Sequence, residues 1–246
     1  MRTLSGKTLS EIVIERLQEF EPADGYYVAY SGGKDSDVVL DLVRRSDVKY
    51  DAHHNLTTCD PPEVVRHVKE QTDVVIDRPQ YTMWELVRRH HSPPRRTARY
   101  CCEELKERGG QGRTVVTGVR WAESNRRATR KMVESCYKDP SKHYLHPIID
   151  WTTSDVWSYI RERGINVCSL YAEGQTRVGC VLCPMTRDVE RQMARWPQIA
   201  RAWERAVKAT YKPGKSYGET PEEYWQWWLN RDASSQENET PLFFED

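Results

Sequence analysis

Short apolar runs alternate along the chain with segments in which apolar residues recur every three or four positions. Runs rich in β-branched and aromatic residues predict five strands, at residues 25–30, 48–55, 73–77, 113–119 and 145–150. The intervening segments have helical spacing and carry capping residues, such as Thr8 with Glu11 and Thr152 with Asp155. Strands that alternate with helices indicate an α/β protein, in which a parallel sheet is covered by helices on both faces.

The pattern changes after residue 185, where only helical spacing remains. Residues 188–195 and 197–211 predict two helices, and Thr220 is expected to cap a third. The third helix carries an aromatic stripe that we expect to pack in the core rather than to stack on bases: Tyr224, Trp225, Trp227 and Trp228. Residues 186–231 therefore predict a C-terminal helical extension. Residues 232–246 contain five acids and no Lys or Arg, which predicts an acidic tail.

Composition adds few constraints. The 246 residues suffice for one large domain with a small helical appendix, and 37 basic residues balance 37 acidic ones. A net charge of zero gives no global reason for a nucleic-acid or membrane partner. No apolar run is long enough to span a bilayer, and residues 1–7 lack the apolar core of a signal peptide. We therefore expect a soluble, cytoplasmic protein with no membrane partner.

The segment after the first predicted strand has the residues of a phosphate-binding loop: Ser31, Gly32, Gly33, Lys34, Asp35 and Ser36. Strand, glycine pair and helix in this order direct backbone N–H groups and the positive end of a helix towards an anion. The glycines allow phosphate oxygens to approach, Lys34 adds a positive charge, and the serines add hydroxyl donors. The spacing differs from that of a Walker A loop. The alternative is a tight turn that binds nothing.

Seven cysteines in a chain expected to be cytosolic favour metal or redox chemistry over disulfides. A C-x-x-C motif and an adjacent pair supply four thiolates, the number needed by zinc or a four-iron cluster: Cys180, Cys183, Cys101 and Cys102. Adjacent cysteines suit a cluster of several irons better than a single ion. In the alternative, one of the adjacent cysteines packs in the core while the others form a redox pair. The rest have no partner by spacing and are expected to be buried: Cys59, Cys136 and Cys168.

Five motifs occur in an order that resembles a known family, at residues 31–36, 101–106, 117–127, 147–157 and 170–184. The chain resembles the phosphoadenosine-phosphosulfate-reductase-like branch of the PP-loop ATP pyrophosphatase superfamily over about residues 24–186. The resemblance implies a five-stranded parallel sheet that binds an adenine nucleotide. It also implies that Cys101, Cys102, Cys180 and Cys183 hold a [4Fe–4S] cluster, with zinc as the alternative. Residues 1–185 are accordingly expected to form a PP-loop nucleotide-binding domain with a cysteine site.

Two features differ from true sulfonucleotide reductases. Those enzymes have a degenerate loop, whereas here the loop is intact and retains Lys34. They also use a cysteine in a later E-C-G-L-H segment, and no cysteine follows Cys183 in this sequence. Both differences favour a closer likeness to the ATP pyrophosphatases of thiolation systems, including those of DNA phosphorothioation and tRNA thiolation.

The resulting hypothesis is an enzyme that adenylates an acceptor and releases pyrophosphate from magnesium ATP. Three residues are predicted to be catalytic: Lys34, Asp35 and Arg120. The predicted nucleotide-binding set is Tyr30, Ser31, Gly32, Gly33, Lys34, Asp35, Ser36, Thr57, Gly118, Arg120, Ser124 and Arg127. Asp35 either ligates magnesium or braces the loop. Arg120 and Arg127 contact the α-phosphate or the acceptor, or else form ordinary surface salt bridges.

A basic segment bears on the identity of the acceptor. Residues 88–99 contain five arginines and two histidines but no acid. This positive charge would suit binding of a polyanion such as DNA or tRNA. It fits a helix face exposed to water equally well. The sulfur donor would be a protein such as a cysteine desulfurase. One alternative is a sulfonucleotide reductase that uses Cys59, Cys136, Cys168 or a partner's thiol. A second alternative is a subunit without catalytic activity that senses ATP and redox state.

Overall fold

A computed structural model describes residues 6–230. The strands are β1 (Tyr26–Ala29), β2 (Tyr50–Asn55), β3 (Val74–Asp77), β4 (Thr114–Val116), β5 (Val133–Ser135) and β6 (His143–Leu145). The helices are α1 (Leu9–Glu19), α2 (Lys34–Arg45), α3 (Pro62–Lys69), α4 (Met83–Arg89), α5 (Asn125–Ala128), α6 (Thr153–Arg163), α7 (Val189–Arg195), α8 (Pro197–Lys208) and α9 (Pro221–Leu229). A single π-helical turn spans Cys102–Lys106.

The described chain divides into two compact units. The first contains residues 6–56, 60–79 and 106–179, and the second contains residues 57–59, 80–105 and 180–230. The predicted helical extension lies in the second unit together with two earlier stretches of chain. The domain boundary at residue 185 stays a prediction, and the acidic segment 232–246 lies outside the described residues.

The first unit is built on a six-stranded sheet in the order β3-β2-β1-β4-β6-β5. The pairs from β3 to β6 are parallel, and β5 runs antiparallel to β6 at the edge, with Val133 opposite Leu145. The prediction of an α/β fold with a parallel sheet is confirmed, but the count of five strands is wrong.

The fifth predicted strand, over residues 145–150, was misplaced. The strand ends at Leu145, and the residues that follow form turns, in which Pro147 has no N–H to donate to a ladder. The extra strand, β5, has only three residues, and Val133 is 41% exposed. A strand this short and polar carries no alternating pattern by which the sequence would reveal it.

Capping boxes begin two helices of the first unit, α1 and α6, as the sequence predicts. The Thr8 hydroxyl accepts from the Glu11 amide at 3.2 Å, and the Glu11 carboxylate accepts from the Thr8 amide at 2.6 Å. Thr152 and Asp155 do the same for α6, which ends at Gly164 in the left-handed conformation. Arg16 in α1 donates to the Pro147 carbonyl at 2.8 Å. This contact ties α1 to the segment that precedes α6.

The second unit is helical and has an aromatic core. The helix α8 contacts α4, α7 and α9. Trp203 in α8 is fully buried, with its ring centroid 5.1 Å from that of Trp84 and 4.8 Å from that of Trp228. Tyr224 and Trp225 are also buried, and Trp227 stacks on Tyr217 at 4.2 Å. The predicted core role is therefore confirmed for Tyr224, Trp225 and Trp228, whereas Trp227 is half-buried.

Within residues 6–230, every helix is too short or too polar to cross a bilayer.

Candidate functional site

The loop between β1 and α2 is held closed by one hydroxyl group. Ser36 Oγ donates to the Gly33 carbonyl at 2.8 Å and accepts from the Gly33 amide at 3.0 Å. It also lies 3.1 Å from the Ser31 hydroxyl. Gly32 has a φ of +72°, and a Cβ there would lie 2.9 Å from Val68 and 3.0 Å from a second valine. The sharp turn therefore requires glycine at this position.

The helix α2 begins directly at Lys34, with Gly33 as its N-cap residue. Several amides of the loop and first helical turn therefore lie at one end of a helix of 12 residues, where the helix dipole favours an anion. The Lys34 amide donates to the Tyr171 hydroxyl at 2.9 Å, and the Lys34 ammonium lies 5.8 Å from the Tyr171 ring centroid. Sequence reasoning used Tyr171 only as part of a motif and missed this contact.

Asp35 lies between two cations. Its carboxylate accepts from Lys34 Nζ at 2.8 Å and from Arg120 Nε at 2.7 Å. The backbone of Gly118 approaches so closely that a Cβ there would lie 2.9 Å from the Asp35 carbonyl. Of the two roles predicted for Asp35, the structure contains the contacts of a loop brace. Three predicted site residues, Lys34, Asp35 and Arg120, are thus joined in one network.

Arg120 is only 1% exposed, so the alternative of a surface salt bridge is wrong for this residue. Its guanidinium also donates to the Trp151 carbonyl at 3.1 Å, and its backbone amide donates to Glu123 at 2.9 Å. Glu123 in turn pairs with the partly exposed Arg127. The hydroxyl of Ser124, which caps α5, accepts from the Arg127 amide at 3.3 Å. The loop that follows β4 therefore connects the predicted residues 118–127 to Asp35.

The side chain of Tyr30 belongs to a buried triad rather than to the loop surface. Its hydroxyl donates to Asp37 Oδ1 at 2.5 Å, and His67 Nε2 lies 2.9 Å from the same oxygen. Burial lowers the pKa of His67, but the hydrogen bond to Asp37 and the charges of Asp37 and Glu70 outweigh it, so the pKa is raised. The nucleotide contact predicted for Tyr30 stays a prediction, and the Tyr30 carbonyl accepts from His54 Nδ1 at 3.0 Å. No sequence signal distinguished His67.

Thr57 belongs to the second unit, where its hydroxyl lies among thiols. Cys180 Sγ donates to it at 3.4 Å, and Cys59 Sγ lies 3.5 Å away. The Val181 amide, next to Cys180, donates to the Cys59 carbonyl at 2.8 Å. The nucleotide contact assigned to Thr57 stays a prediction. The spacing of the cysteines along the sequence also did not predict that Cys59 contacts the C-x-x-C segment.

The four cysteines predicted to bind metal all lie in the second unit, Cys101 and Cys180 buried and Cys102 and Cys183 half-buried. The pKa of the Cys101 thiol is raised by its hydrogen bond with Cys102, by burial, and by the nearby Cys180 and Cys183. Four sulfurs therefore share one environment. Across residues 6–230, however, no three His, Cys, Asp or Glu side chains are arranged to hold a metal ion.

The other cysteines differ in burial. Cys59 and Cys168 are 0% and 1% exposed, which confirms the prediction that they are buried. The prediction is wrong for Cys136, which is half-buried beside the Tyr144 hydroxyl. Cys136 directly follows the edge strand β5, which the sequence did not reveal and which leaves its side chain at the surface.

The basic segment, residues 88–99, lies in the second unit. Arg89 packs its guanidinium 4.2 Å from the Tyr81 ring centroid, and Arg96 donates to the Pro184 carbonyl at 3.2 Å. A cavity of about 470 Å³ is lined by Arg96, Arg187 and Arg191 together with acidic and apolar residues. Arg89 and Arg96 of this segment therefore contact other parts of the second unit. Arg96 also contributes positive charge to the wall of the cavity.

The family match places this protein in the PP-loop, adenine nucleotide alpha hydrolase-like superfamily, and the parallel strand order 3-2-1-4 with a glycine-rich loop between β1 and α2 agrees with that placement. The chain belongs to the phosphoadenosine phosphosulfate reductase domain family, whose model matches residues 25–186. The chain spans only 42% and 45% of the lengths of two of the curated relatives that it matches.

Three similar proteins illustrate the relationship. The chain is 30% identical to an adenosine 5'-phosphosulfate reductase from Geobacillus kaustophilus over 193 residues, which is 72% of this chain and 80% of that protein. It is 36% identical over 141 residues to an uncharacterized 37.8 kDa protein of Escherichia phage 186, covering 50% of this chain but only 42% of the phage protein. The crystal structure of a phosphoadenylyl-sulfate reductase from Candida auris, a phosphate complex, superposes with a TM-score of 0.54 at 18% identity, covering 72% of this chain and 90% of that one.

Proposed function

We propose that the protein is an ATP-dependent adenylating enzyme of sulfur transfer. An acceptor oxygen would attack the α-phosphorus of ATP, and the bond to the β-phosphate would break, releasing pyrophosphate. The terminal sulfur of a persulfide on a donor protein such as a cysteine desulfurase would then attack the activated acceptor, which would be DNA or tRNA, and displace AMP. A second thiol of the donor would cleave the S–S bond, which leaves the sulfur on the acceptor and a disulfide on the donor. The observation that carries this proposal is the intact loop, with Lys34 at the start of a 12-residue helix.

The loop supplies what pyrophosphate release requires. In this proposal, the loop of residues 31–36 and the Lys34 ammonium bind the β- and γ-phosphates with magnesium. Such chemistry depends mainly on positioning and on charges that are already in place. Asp35 fixes Lys34 at 2.8 Å, and Arg120 fixes Asp35 at 2.7 Å. Because the Arg120 guanidinium is buried and bonded within the protein, we assign it the role of a positioning residue.

The relationship to an adenosine 5'-phosphosulfate reductase supports a second candidate, a sulfonucleotide reductase that releases sulfite. That reaction requires a thiol that attacks sulfur and a reductant that restores it. Cys59 and Cys168 are fully buried, and Cys136 lies beside the edge strand. The substrate of a sulfonucleotide reductase carries no β,γ-pyrophosphate, so that reaction gives Lys34 no phosphates of this kind to bind. We therefore prefer the ATP reaction.

The ATP reaction is tested by mutating Lys34. The wild-type protein is expected to form AMP and pyrophosphate from magnesium ATP, and Lys34→Ala is expected to lower ATP affinity about 10- to 100-fold. The loss follows from removing charge-assisted hydrogen bonds worth about 1.5–3 kcal/mol. Calorimetry measures the affinity, and a coupled assay measures the pyrophosphate. Lys69→Ala, at an exposed position at the end of α3, is the matched control.

Two results would contradict this assignment. Unchanged ATP affinity in Lys34→Ala would show that the loop does not hold the phosphates. Sulfite release from adenylyl sulfate with thioredoxin, at a rate well above ATP cleavage, would establish the reductase instead. A slow basal ATP reaction without the acceptor is expected, so affinity is the primary measurement.

We further propose that Cys101, Cys102, Cys180 and Cys183 hold a [4Fe–4S] cluster. All four sulfur donors lie in one unit, and thiolates are the usual ligands of iron–sulfur clusters. A bound cluster supplies redox-active iron and sulfide. In the proposed function the chain's own contribution is to bury Cys101 and Cys180 and to hold the segment beside Cys180 through the Cys59 carbonyl.

Protein prepared without oxygen is expected to contain about four irons and matching sulfide. Cys180→Ser is expected to lose both, because it removes a buried ligand, whereas Cys136→Ser in the first unit is expected to keep them. Iron, sulfide and zinc analysis with a visible absorption spectrum checks this without any activity assay. One zinc per chain and no iron would exclude the cluster.

A further inference from the structure

A basic surface segment of the first unit, residues 121–131, presents an exposed tryptophan. Trp121 is 44% exposed, although tryptophan is the side chain that gains most from burial. Its ring is nevertheless fixed, because the indole Nε1 donates to the Arg130 carbonyl at 2.8 Å and the Trp121 amide donates to the Ile149 carbonyl at 2.8 Å. The ring therefore gives solvent an apolar face while its only polar group is satisfied within the protein.

The charges of this segment are only partly compensated. Arg127 pairs with Glu123, and Arg130 pairs with Glu134. Arg126 in α5 and Lys131 are exposed, and neither side chain forms an ion pair or hydrogen bond with another of residues 6–230. Lys131 directly follows the residue that anchors the indole. The segment thus combines a fixed aromatic face with two uncompensated positive charges.

This combination matches one ligand chemistry. An unpaired base stacks on an aromatic face, and the phosphates of its backbone attract lysine and arginine. A base within a duplex has both faces covered by its neighbours, so a duplex would use only the charges. The carboxylates of an acidic peptide would likewise pair with the charges but would not stack on the indole. An exposed indole beside two unpaired positive charges therefore favours single-stranded nucleic acid.

We propose that residues 121–131 bind single-stranded nucleic acid, with an unpaired base stacked on Trp121 and backbone phosphates on Arg126 and Lys131. This inference rests on the proposed function, because it identifies where the nucleic-acid acceptor binds and which form of it is recognised. It requires neither ATP nor a cluster, so it is testable apart from both.

The full-length protein is titrated without ATP into a fluorescently labelled 15-nucleotide oligothymidylate, and anisotropy gives the affinity. Trp121→Ala is expected to weaken binding about 10-fold, within the range of one base stacked on an aromatic side chain. Trp121→Phe retains an aromatic face and is expected to recover most of the affinity. Tyr137→Ala is the control, because Tyr137 is fully exposed elsewhere on the same unit. Heparin, a polyanion without bases, is expected to bind Trp121→Ala as it binds wild type.

The charges are tested by the salt dependence of the same titration. Removing Arg126 and Lys131 together is expected to reduce the slope of log affinity against log salt by about 1.4, which is about 0.7 for each phosphate contact on a single strand. The control removes the same charge at the exposed Lys69 and Arg78 and is expected to leave the slope unchanged. Oligouridylate in place of oligothymidylate distinguishes an RNA from a DNA acceptor.

Three outcomes would overturn the inference. If Trp121→Ala binds the oligothymidylate with wild-type affinity, no base stacks on Trp121. An equal loss for heparin would show that Trp121 supports the segment structurally rather than contacting a base. Tighter binding of a 15-base-pair duplex than of the single strand would exclude recognition of unpaired bases. None of these outcomes bears on ATP affinity in Lys34→Ala, so a failure here is distinguishable from failure of the proposed function.

Discussion

Replacing Arg120 with methionine is expected to lower the free energy of unfolding by about 3–5 kcal/mol, the usual cost of breaking a buried ion pair by removing one partner. The Arg120 side chain is 1% exposed, and its guanidinium bonds both Asp35 and the Trp151 carbonyl. Methionine fills similar volume but leaves the carboxylate with one cation and the carbonyl without its donor. Urea denaturation followed by circular dichroism measures the change.

Arg127→Met provides the matched control for Arg120→Met. Arg127 also pairs with a carboxylate, that of Glu123, but its side chain is 39% exposed. Solvent screening limits such a pair to at most about 1 kcal/mol. If the two variants unfold at the same urea concentration, burial of Arg120 does not carry the stability assigned to it. ATP affinity measured on folded Arg120→Met is also expected to fall, because Asp35 then loses one of its two anchors.

Trp203→Ala is expected to destabilise the second unit by about 3–5 kcal/mol, the range for truncating a large buried aromatic side chain. Trp203 is fully buried against Trp84 and Trp228, and its indole donates to the Val181 carbonyl at 3.0 Å. The loss therefore combines a cavity with an unsatisfied carbonyl in the C-x-x-C segment. Thermal unfolding followed by tryptophan fluorescence measures it.

Trp203→Phe separates the two contributions. It keeps most of the packing but cannot donate to Val181, so an intermediate loss of about 1–3 kcal/mol is expected for the unsatisfied carbonyl. Trp121→Ala serves as the exposed tryptophan control, with an expected change near 0.5 kcal/mol. A loss in Trp203→Ala no larger than that of Trp121→Ala would show that this aromatic cluster does not stabilise the protein.

The sequence predicted the helices, strands and turns whose own capping residues, glycines or apolar pattern determine where they form. Capping boxes located the starts of α1 and α6, and the glycine pair located the tight loop between β1 and α2. It did not predict β5, because that strand exists only by pairing with β6. Edge strands of three residues depend on a neighbour rather than on their own pattern.

The sequence named three candidate residues that the structure joins, but it did not predict their contacts. Lys34, Asp35 and Arg120 were assigned from motifs, and the structure joins them in one network. The sequence could not predict that Arg120 is buried. Arg120 lies in a polar segment, and its burial depends on the parts of the chain that surround it in the fold. The bond of Tyr30 to Asp37 and the contact of Thr57 with Cys180 likewise join residues that no spacing rule connects.

The second unit draws on three separate stretches of chain, residues 57–59, 80–105 and 180–230, and this has a consequence for synthesis. At about 5–20 residues per second, the ribosome needs about 4–15 seconds to pass from Leu105 to Cys180. During that interval α4 has been synthesised and leaves the ribosome, but α8, against which it packs, has not been made. The apolar residues Met83, Leu86 and Val87 are then exposed on the nascent chain, which makes this helix the expected binding site for a chaperone during translation.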